Sequence, residues 1–311
     1  MKTSLKIFAK LTISLALILF AYKSIDINDL KKTIGQLDIM LVLGALLIKF
    51  FCLAIQALRW NLILVELEVV LSFIAALKNI LIGFFFNQTL PSSIGGDAVR
   101  AWECRHLGIK KVIASIVLDR VAGLFALFLS SSVFTFVLLK NTVFDVSMIS
   151  SLQFLMVINF LGMMIILILP IIDKILKIIG FSWLSEKLEI HLLTYTMREI
   201  ISKPVKVLVI ISSSISLHLL LGISGYILLL SINSGPSFLV FFPYFLLALT
   251  ISTIPISIGG WGVRETAMMS VFYFIGIDAE VALVFSILYG LLMFCVGFPG
   301  GILWLFKTKL N

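Results

Sequence analysis

Residues 89–100 read TLPSSIGGDAVR, and residues 253–264 repeat the pattern as TIPISIGGWGVR. Both copies match T-x-P-x-S-I-G-G-x-x-V-R, which is too long a likeness to arise by chance. Proline removes a backbone donor and cannot continue a helix, whereas the glycine pair tolerates positive φ and close approach of another group. Each copy therefore predicts a helix break. In a membrane protein, a Pro/Gly-broken apolar segment that recurs in both halves points to a transport site.

The composition is typical of a membrane protein. Hydrophobic residues make up 61% of the 311 residues, charged residues only 13%, and the mean hydropathy is +1.18. A soluble domain of this length does not need so many apolar residues. The net charge is +8. Because the basic residues flank apolar runs, we interpret this charge as positive-inside topology and contact with anionic lipid headgroups, not as nucleic-acid binding.

Six apolar runs are long enough to cross about 30 Å of hydrocarbon. They cover residues 5–22, 38–60, 112–139, 152–172, 205–232 and 281–306. We expect the first to be a retained span, because no small-residue cleavage site follows it. Two further stretches, 71–100 and 238–264, begin apolar and end in the repeated motif, so we expect them to enter the membrane and turn back. The sequence thus predicts a single all-α polytopic membrane domain over 1–311, with about six full spans and two re-entrant hairpins.

The distribution of Lys and Arg predicts the topology. If the N-terminus is cytoplasmic and the first hairpin re-entrant, the basic clusters fall on the cytoplasmic side, as expected in a bacterial cytoplasmic membrane. Three spans then separate the hairpins, and an odd number reverses orientation. We therefore expect an inverted repeat with halves at about 38–139 and 205–306. The connector 173–203 mixes charged and apolar residues, which is typical of amphipathic helices on the cytoplasmic interface or of a solvated linker.

Each motif ends in an arginine with a carboxylate nearby: Arg100 follows Asp97, and Arg264 precedes Glu265. A charged side chain at the bilayer centre costs about 2.5–3.5 kcal/mol, so such groups are usually paired or functional. The planar fork of arginine suits bidentate contact with phosphate. The alternative is internal pairing of Arg100 with Asp97 and of Arg264 with Glu265, or snorkelling of the arginines to the interface.

Asp119 and Arg120 lie inside a predicted span. Adjacent helical residues point about 100° apart, so the two cannot simply neutralise each other. Each is expected to reach another element, and Asp97 or Arg100 of the first hairpin is the nearest candidate by sequence. Structural pairing and a role in a substrate path both remain open.

Polar residues beside the motifs complete the candidate set. Asn87 and Gln88 offer amide groups to a substrate or cap the broken backbone. Small and polar residues around His218 share one helix face, which usually indicates helix packing. The candidate substrate-binding residues are Asn87, Gln88, Asp97, Arg100, Asp119, Arg120, Arg264 and Glu265, and the structural breaks are Pro91, Gly95, Gly96, Pro255, Gly259 and Gly260.

Enzyme signatures are missing from the sequence. It contains no G-x-x-x-x-G-K-[ST] loop, no G-x-S-x-G and no H-E-x-x-H, and its three cysteines are isolated. No catalytic residue, metal or cofactor is therefore predicted, and the sequence favours a non-enzymatic role.

Segments 87–100, 118–124 and 255–265 together resemble the lysylphosphatidylglycerol synthase transmembrane family, also called flippase-like or UPF0104 proteins. The likeness covers nearly the whole chain. The resemblance implies a membrane domain that occurs alone or fused to a soluble aminoacyl-transferase domain, and we expect this chain to be the stand-alone form. In the fused form, the soluble domain makes lysylphosphatidylglycerol and the membrane domain moves it across the bilayer.

The resemblance implies a lipid flippase-like protein. Its substrate would be an anionic or aminoacylated phospholipid or a polyprenyl-phosphate-linked lipid, and its partner a membrane glycosyltransferase or aminoacyl-transferase. Two alternatives remain. One is an integral-membrane lipid aminoacyl or glycosyl transferase with Asp97 or Asp119 as base; the other is a non-transporting partner of a membrane glycosyltransferase.

Overall fold

The computed structural model describes residues 35–90, 95–141, 146–180, 182–187, 189–232, 235–253, 257 and 259–307. Within these ranges the regular secondary structure is entirely helical, which confirms the all-α prediction. The helices are α1 Ile39–Glu66, α2 Phe73–Thr89, α3 Gly95–Glu103, α4 Ile109–Asn141, α5 Val146–Ile168, α6 Ile172–Ile178, α7 Ser182–Lys187, α8 Ile190–Ile201, α9 Pro204–Leu230, α10 Phe238–Ser252, α11 Val263–Tyr273 and α12 Ala279–Lys307.

Five helical segments of the described chain are long and apolar enough to cross a membrane. They are Ile39–Glu66, Ile109–Lys140, Ile149–Ile178, Pro204–Leu230 and Ala279–Phe306. These segments agree with five of the six predicted spans, so the chain is a multi-pass membrane protein. The predicted first span, 5–22, lies outside the described residues.

Each motif interrupts a helix, as its proline and glycines predict. Helix α2 ends at Thr89, the first residue of the first motif, and α3 begins within that motif at Gly95. Helix α10 ends at Ser252, just before the second motif, and α11 begins within that motif at Val263. The two helices of each pair pack against each other. Pro91 and Pro255 lie outside the described residues.

The glycines of the two copies serve different purposes. Gly259 and Gly260 have φ of +56° and +81°, a backbone conformation that L side chains rarely adopt. Gly95 and Gly96 instead form the first turn of α3. A Cβ at Gly96 would lie 1.9 Å from the carbonyl oxygen of Gly83, so this glycine lets α3 approach α2 closely.

Helices α1 and α9 pack antiparallel along their length. The amide of Asp38 donates to the carbonyl of Ser231 at 2.9 Å, and Ser224 Oγ donates to the carbonyl of Ala45 at 2.8 Å. Later positions on α1 therefore meet earlier positions on α9. Two further packings join distant parts of the chain: α2 lies against α12, and α10 lies against α4. The first hairpin, α2 and α3, thus packs on α12, which follows the second hairpin in the chain. The second hairpin, α10 and α11, packs on α4, which follows the first.

Two hydrophobic cores flank this arrangement. One is built from stacked and edge-on rings around the second hairpin, including Phe241, Phe245 and Phe285. The other surrounds Trp60, which is fully buried on α1 beneath the first hairpin. Both hairpins therefore rest on rigid apolar supports.

The connector 173–203 is helical over α6, α7 and α8. On α8, Met197 and Ile200 pack against the core around Trp60, whereas Tyr195 is 63% exposed. The lysine at position 203 reaches back to Glu66 at the end of α1, at 2.7 Å. The location of this connector at the cytoplasmic interface stays a prediction.

Candidate functional site

A network of charged side chains joins α1, α3 and α4, and we call it the Arg100 cluster: Arg59, Asp97, Arg100, Asp119 and Arg120. Arg59 Nε donates to Asp119 Oδ1 at 2.7 Å. Arg100 Nη1 donates to Asp97 Oδ1 at 3.1 Å, and Arg120 Nε donates to Asp97 Oδ2 at 2.6 Å. Four of the five side chains are buried, and their charges balance. The fifth, Arg120, is 45% exposed and adds one positive charge at the margin.

Asp119 and Arg120 point in different directions, as their adjacent helical positions predict. Arg120 reaches Asp97 on the first hairpin, whereas Asp119 pairs with Arg59 on α1. Sequence reasoning missed Arg59 because the predicted span ended at residue 60, which placed this arginine at the membrane edge. The signal was present, since the apolar helix continues to Glu66 and leaves Arg59 inside it.

The side chain of Arg100 lies between an aromatic ring, which its guanidinium contacts, and a glycine, which its methylene groups contact. Its Cζ lies 4.3 Å from the centre of the Trp60 ring, and Trp60 Nε1 donates to Ser115 Oγ at 3.0 Å, which fixes that ring. A Cβ at Gly83 would lie 2.6 Å from Cγ and Cδ of Arg100. The position of Arg100 is therefore set from two sides before any ligand binds.

Arg100 nevertheless retains hydrogen-bonding capacity. Its Nε and Nη2 atoms are buried and have no hydrogen-bond partner among the described residues. Nη2 lies 4.0 Å from Asp119 Oδ2, which is an ionic contact but too long for a hydrogen bond. Buried donors are nearly always satisfied. Two unsatisfied donors on one planar fork match the two oxygens of a phosphate or carboxylate.

The second motif builds a separate group, which we call the Arg264 cluster: Lys49, Arg264, Glu265, Ser286 and Tyr289. Arg264 Nη2 donates to Glu265 Oε1 at 2.8 Å, and its Nε donates to Ser286 Oγ at 3.3 Å. Ser286 in turn donates to Glu265 at 3.2 Å. Internal pairing of Arg264 with Glu265, one of the alternatives from the sequence, is thus observed.

The two arginines share one further feature. Arg264 Cζ lies 4.4 Å from the centre of the Trp261 ring, just as Arg100 lies over Trp60. Glu265 also accepts a hydrogen bond from the amide of Gly262, which satisfies one free donor at the start of α11. Each motif therefore ends in a buried arginine that is stacked on a tryptophan and anchored by a carboxylate.

Lys49 was not predicted and belongs to the Arg264 cluster. It is 2% exposed, and its Nζ lies 3.3 Å from the centre of the Tyr289 ring and 3.8 Å from Met293 Sδ. Arg264 lies close enough for the two positive charges to repel. The sequence signal was a single lysine within an uninterrupted apolar run of α1.

The two motifs meet in space. A Cβ at Gly259 of the second motif would lie 2.7 Å from the carbonyl oxygen of Gln88 beside the first. Gln88 Oε1 and Ser257 Oγ are buried near this junction without a hydrogen-bond partner among the described residues. Asn87, by contrast, accepts from the amide of Gly96 at 2.9 Å, so it caps α3 as the alternative interpretation predicted.

Other candidate groups have structural roles in the described part of the chain. His218 bonds through Nδ1 to the carbonyl of Ser214 one turn earlier, at 2.8 Å, which agrees with helix packing. Ser214 Oγ also accepts a hydrogen bond from Arg59 at 3.0 Å. No group of three His, Cys, Asp or Glu residues with the geometry to hold a metal ion occurs among the residues described.

Comparison with known proteins identifies the family of the chain. Residues 7–301 match the family described as the lysylphosphatidylglycerol synthase TM region. The chain belongs to this family. The matched residues include both motifs, the Arg100 cluster and the Arg264 cluster. The match to the lysylphosphatidylglycerol synthase TM region confirms the resemblance inferred from the sequence.

A full-length relative supports the same assignment. The chain is 25% identical over 345 aligned positions to the UPF0104 membrane protein PH1989 of Pyrococcus horikoshii, with 100% of this chain and 98% of the relative covered. The likeness to this relative therefore extends over the whole chain.

Proposed function

We propose that this membrane protein translocates a lipid with a phosphate in its headgroup, either an anionic or aminoacylated phospholipid or a polyprenyl-phosphate-linked lipid. The observation that carries the proposal is the pair of buried donors on Arg100 that have no hydrogen-bond partner in the described part of the chain. A guanidinium in this condition binds an oxyanion far better than a neutral molecule, because a charge-assisted bidentate contact satisfies both donors at once.

The remaining members of the Arg100 cluster position that guanidinium. Asp97 fixes Nη1, and Asp119 provides charge at 4.0 Å while it holds Arg59. The side chain of Arg120 is 45% exposed and bonds Asp97, so it places positive charge at the margin of the cluster, where it attracts an anion toward the buried arginine. In this role the carboxylates orient the arginine and do not contact the phosphate.

An inverted repeat fits the helix packing. Under the repeat, α1 corresponds to α9, and these helices run antiparallel, as two elements of opposite membrane orientation must. The helix breaks of the two halves also meet where Gly259 approaches Gln88. Broken helices that meet between inverted repeats form the substrate sites of many transporters, because their free backbone groups can hold a polar headgroup.

We place the protein in the bacterial cytoplasmic membrane with the N-terminus in the cytoplasm, since that topology puts the basic clusters inside. The transferase alternative has less support. It requires a carboxylate base, and both Asp97 and Asp119 accept hydrogen bonds from arginines. Both carboxylates are buried and already held by guanidinium groups, which leaves them poorly placed to reach a proton on a substrate.

A liposome assay tests the proposal. The purified protein is reconstituted with labelled aminoacyl-phosphatidylglycerol or a labelled polyprenyl-phosphate sugar, and the accessible fraction of label is followed over time. Arg100→Gln removes the charge and is expected to lower the translocation rate at least tenfold. Arg100→Lys keeps the charge but not the fork, so an intermediate rate is expected.

Arg105→Gln is the matched control. Arg105 lies just after α3 and also stacks on a tryptophan, with its Cζ 4.2 Å from the centre of the Trp102 ring, but it is exposed. This variant is expected to translocate at the wild-type rate. Normal translocation by correctly folded Arg100→Gln would overturn the assignment, and a lipid product formed by the purified protein would favour the transferase.

A further inference from the structure

We propose that Lys49 is the primary ligand of a second oxyanion site, separate from the Arg100 cluster and suited to a phosphate group. The proposal concerns binding alone and does not depend on lipid translocation. Lys49 lies within α1 and is only 2% exposed. Lysine is almost never fully buried unless it is paired.

No carboxylate pairs with Lys49 among the described residues. The nearby groups from the elements packed around it are Cys52 on α1, Arg264 on α11, and Tyr289 and Met293 on α12. The one carboxylate of the Arg264 cluster, Glu265, is engaged by Arg264, by Ser286 and by the amide of Gly262. With Lys49 protonated, Lys49, Arg264 and Glu265 together carry a net charge of +1.

The two contacts that Lys49 does make leave its charge uncompensated. The Tyr289 ring stabilises a cation through its electron-rich face but carries no counter-charge. The thioether of Met293 is a weak acceptor at 3.8 Å. An ammonium group has three donors, so Lys49 retains donors for oxygen atoms of a ligand. A small oxyanion supplies both the missing negative charge and the missing acceptors.

The two sites are distinct. Lys49 and Arg59 lie ten residues apart on α1, which places their backbones about 15 Å apart along the helix axis. Arg59 is directed to Asp119 and Ser214, whereas Lys49 is directed to the side chains of α12. A single phosphate bound at one cluster therefore leaves the other available.

Each cluster contains its own fluorescent reporter. Trp261 stacks on Arg264 next to Lys49, and Trp60 stacks on Arg100. The experiment uses two single-tryptophan proteins, one that retains only Trp261 and one that retains only Trp60, with the other tryptophans replaced by phenylalanine. Each is titrated in detergent with dioctanoyl-phosphatidylglycerol, with inorganic phosphate, and with dioctanoylglycerol, which has the same chains and no phosphate.

The Trp261 protein is expected to show a saturable fluorescence change with a phosphate-bearing probe and none with dioctanoylglycerol. Lys49→Met is expected to weaken that binding at least tenfold, and Lys49→Arg to preserve it. The Trp60 protein should respond with unchanged affinity in the Lys49→Met background. A response to inorganic phosphate as well as the lipid identifies the phosphate group as sufficient, whereas a response to the lipid alone identifies a lipid headgroup site.

Lys49→Met also separates binding from a structural role. Methionine has a similar length and no charge, so the variant is expected to be at least as resistant to SDS unfolding as the wild type, because an unpaired buried charge is removed. Three outcomes overturn the proposal: an unresponsive Trp261, an equal response to dioctanoylglycerol, or unchanged phosphate affinity in Lys49→Met. Loss of folding in Lys49→Met also overturns it, in favour of a structural lysine.

Discussion

Replacement of Asp119 by asparagine tests whether the Arg100 cluster is held together by buried charge. Asp119 is 3% exposed in its side chain, lies 2.7 Å from Arg59 and 4.0 Å from Arg100, and is the principal counter-ion of Arg59. Asparagine keeps nearly the same shape. The change therefore removes one negative charge and leaves the packing almost unaltered.

The magnitude follows from the burial of both partners. Removal of one member of a buried ion pair leaves an uncompensated charge and typically costs about 3–5 kcal/mol. Here the four buried members of the cluster change from balanced charge to an excess of +1 next to Trp60. We expect Asp119→Asn to lose about 3–5 kcal/mol of unfolding free energy, or roughly two to four powers of ten in the ratio of folded to unfolded protein.

The assay is reversible unfolding by SDS in mixed micelles, followed by circular dichroism. Glu68→Gln is the matched control, because Glu68 forms an ion pair of 3.0 Å with Lys111 in which its side chain is 86% exposed. Exposed pairs contribute about 0–1 kcal/mol. A double variant, Arg59→Gln with Asp119→Asn, is expected to be more stable than the sum of the single changes predicts, because neither charge is then left unpaired.

Unfolding of Asp119→Asn at the same SDS concentration as Glu68→Gln would contradict this prediction. In that case the charge of Asp119 would contribute nothing to the position of Arg59, and the Arg100 cluster would owe its geometry to packing alone.

Two further predictions concern packing and pH. Gly290→Ala would place a Cβ 2.2 Å from Arg264 Nη2, so a loss of about 1–3 kcal/mol of unfolding free energy in the same SDS assay is expected. Gly44→Ala is the control, because no atom of the described residues lies within 4 Å of the added Cβ, and it should be neutral or slightly stabilising. Equal effects of the two changes would contradict the prediction. The hydrogen bond from Lys110 lowers the pKa of Glu189. This contact therefore stabilises the folded state above the ordinary glutamate pKa, and the stabilisation is lost as pH falls through the lowered pKa. Hydrogen exchange of the amides at the start of α8 should then become faster in acid. Exchange that does not depend on pH, after correction for the intrinsic rate, would contradict this prediction.

Much of the fold is predictable from local sequence. The spans follow from apolar runs of sufficient length, because the cost of unsatisfied backbone in lipid leaves an apolar chain few alternatives to a helix. The breaks at both motifs follow from proline and glycine chemistry. The need of Asp119 and Arg120 for separate partners follows from helical geometry, and the structure shows each of them with a different partner.

The partners themselves were only partly predictable. Asp97 was correctly proposed as a partner of Arg120, because it lies on the neighbouring helix in the chain, α3. Arg59, which is 60 positions from Asp119, was missed because it was assigned to the end of a span. Lys49 was missed because a single positive charge in an apolar run carries no indication of what it faces.

The sequence by itself determined that this chain crosses a membrane several times, that two helices break at related motifs, and that a few charges are buried. Only the tertiary structure decided which of those charges meet: Arg59 with Asp119, Arg264 with Glu265, and Lys49 with the ring of Tyr289. The physical reason is one of range. Hydrophobicity and backbone preference act within a few residues, whereas the ion pairs depend on which helix faces pack together across the fold.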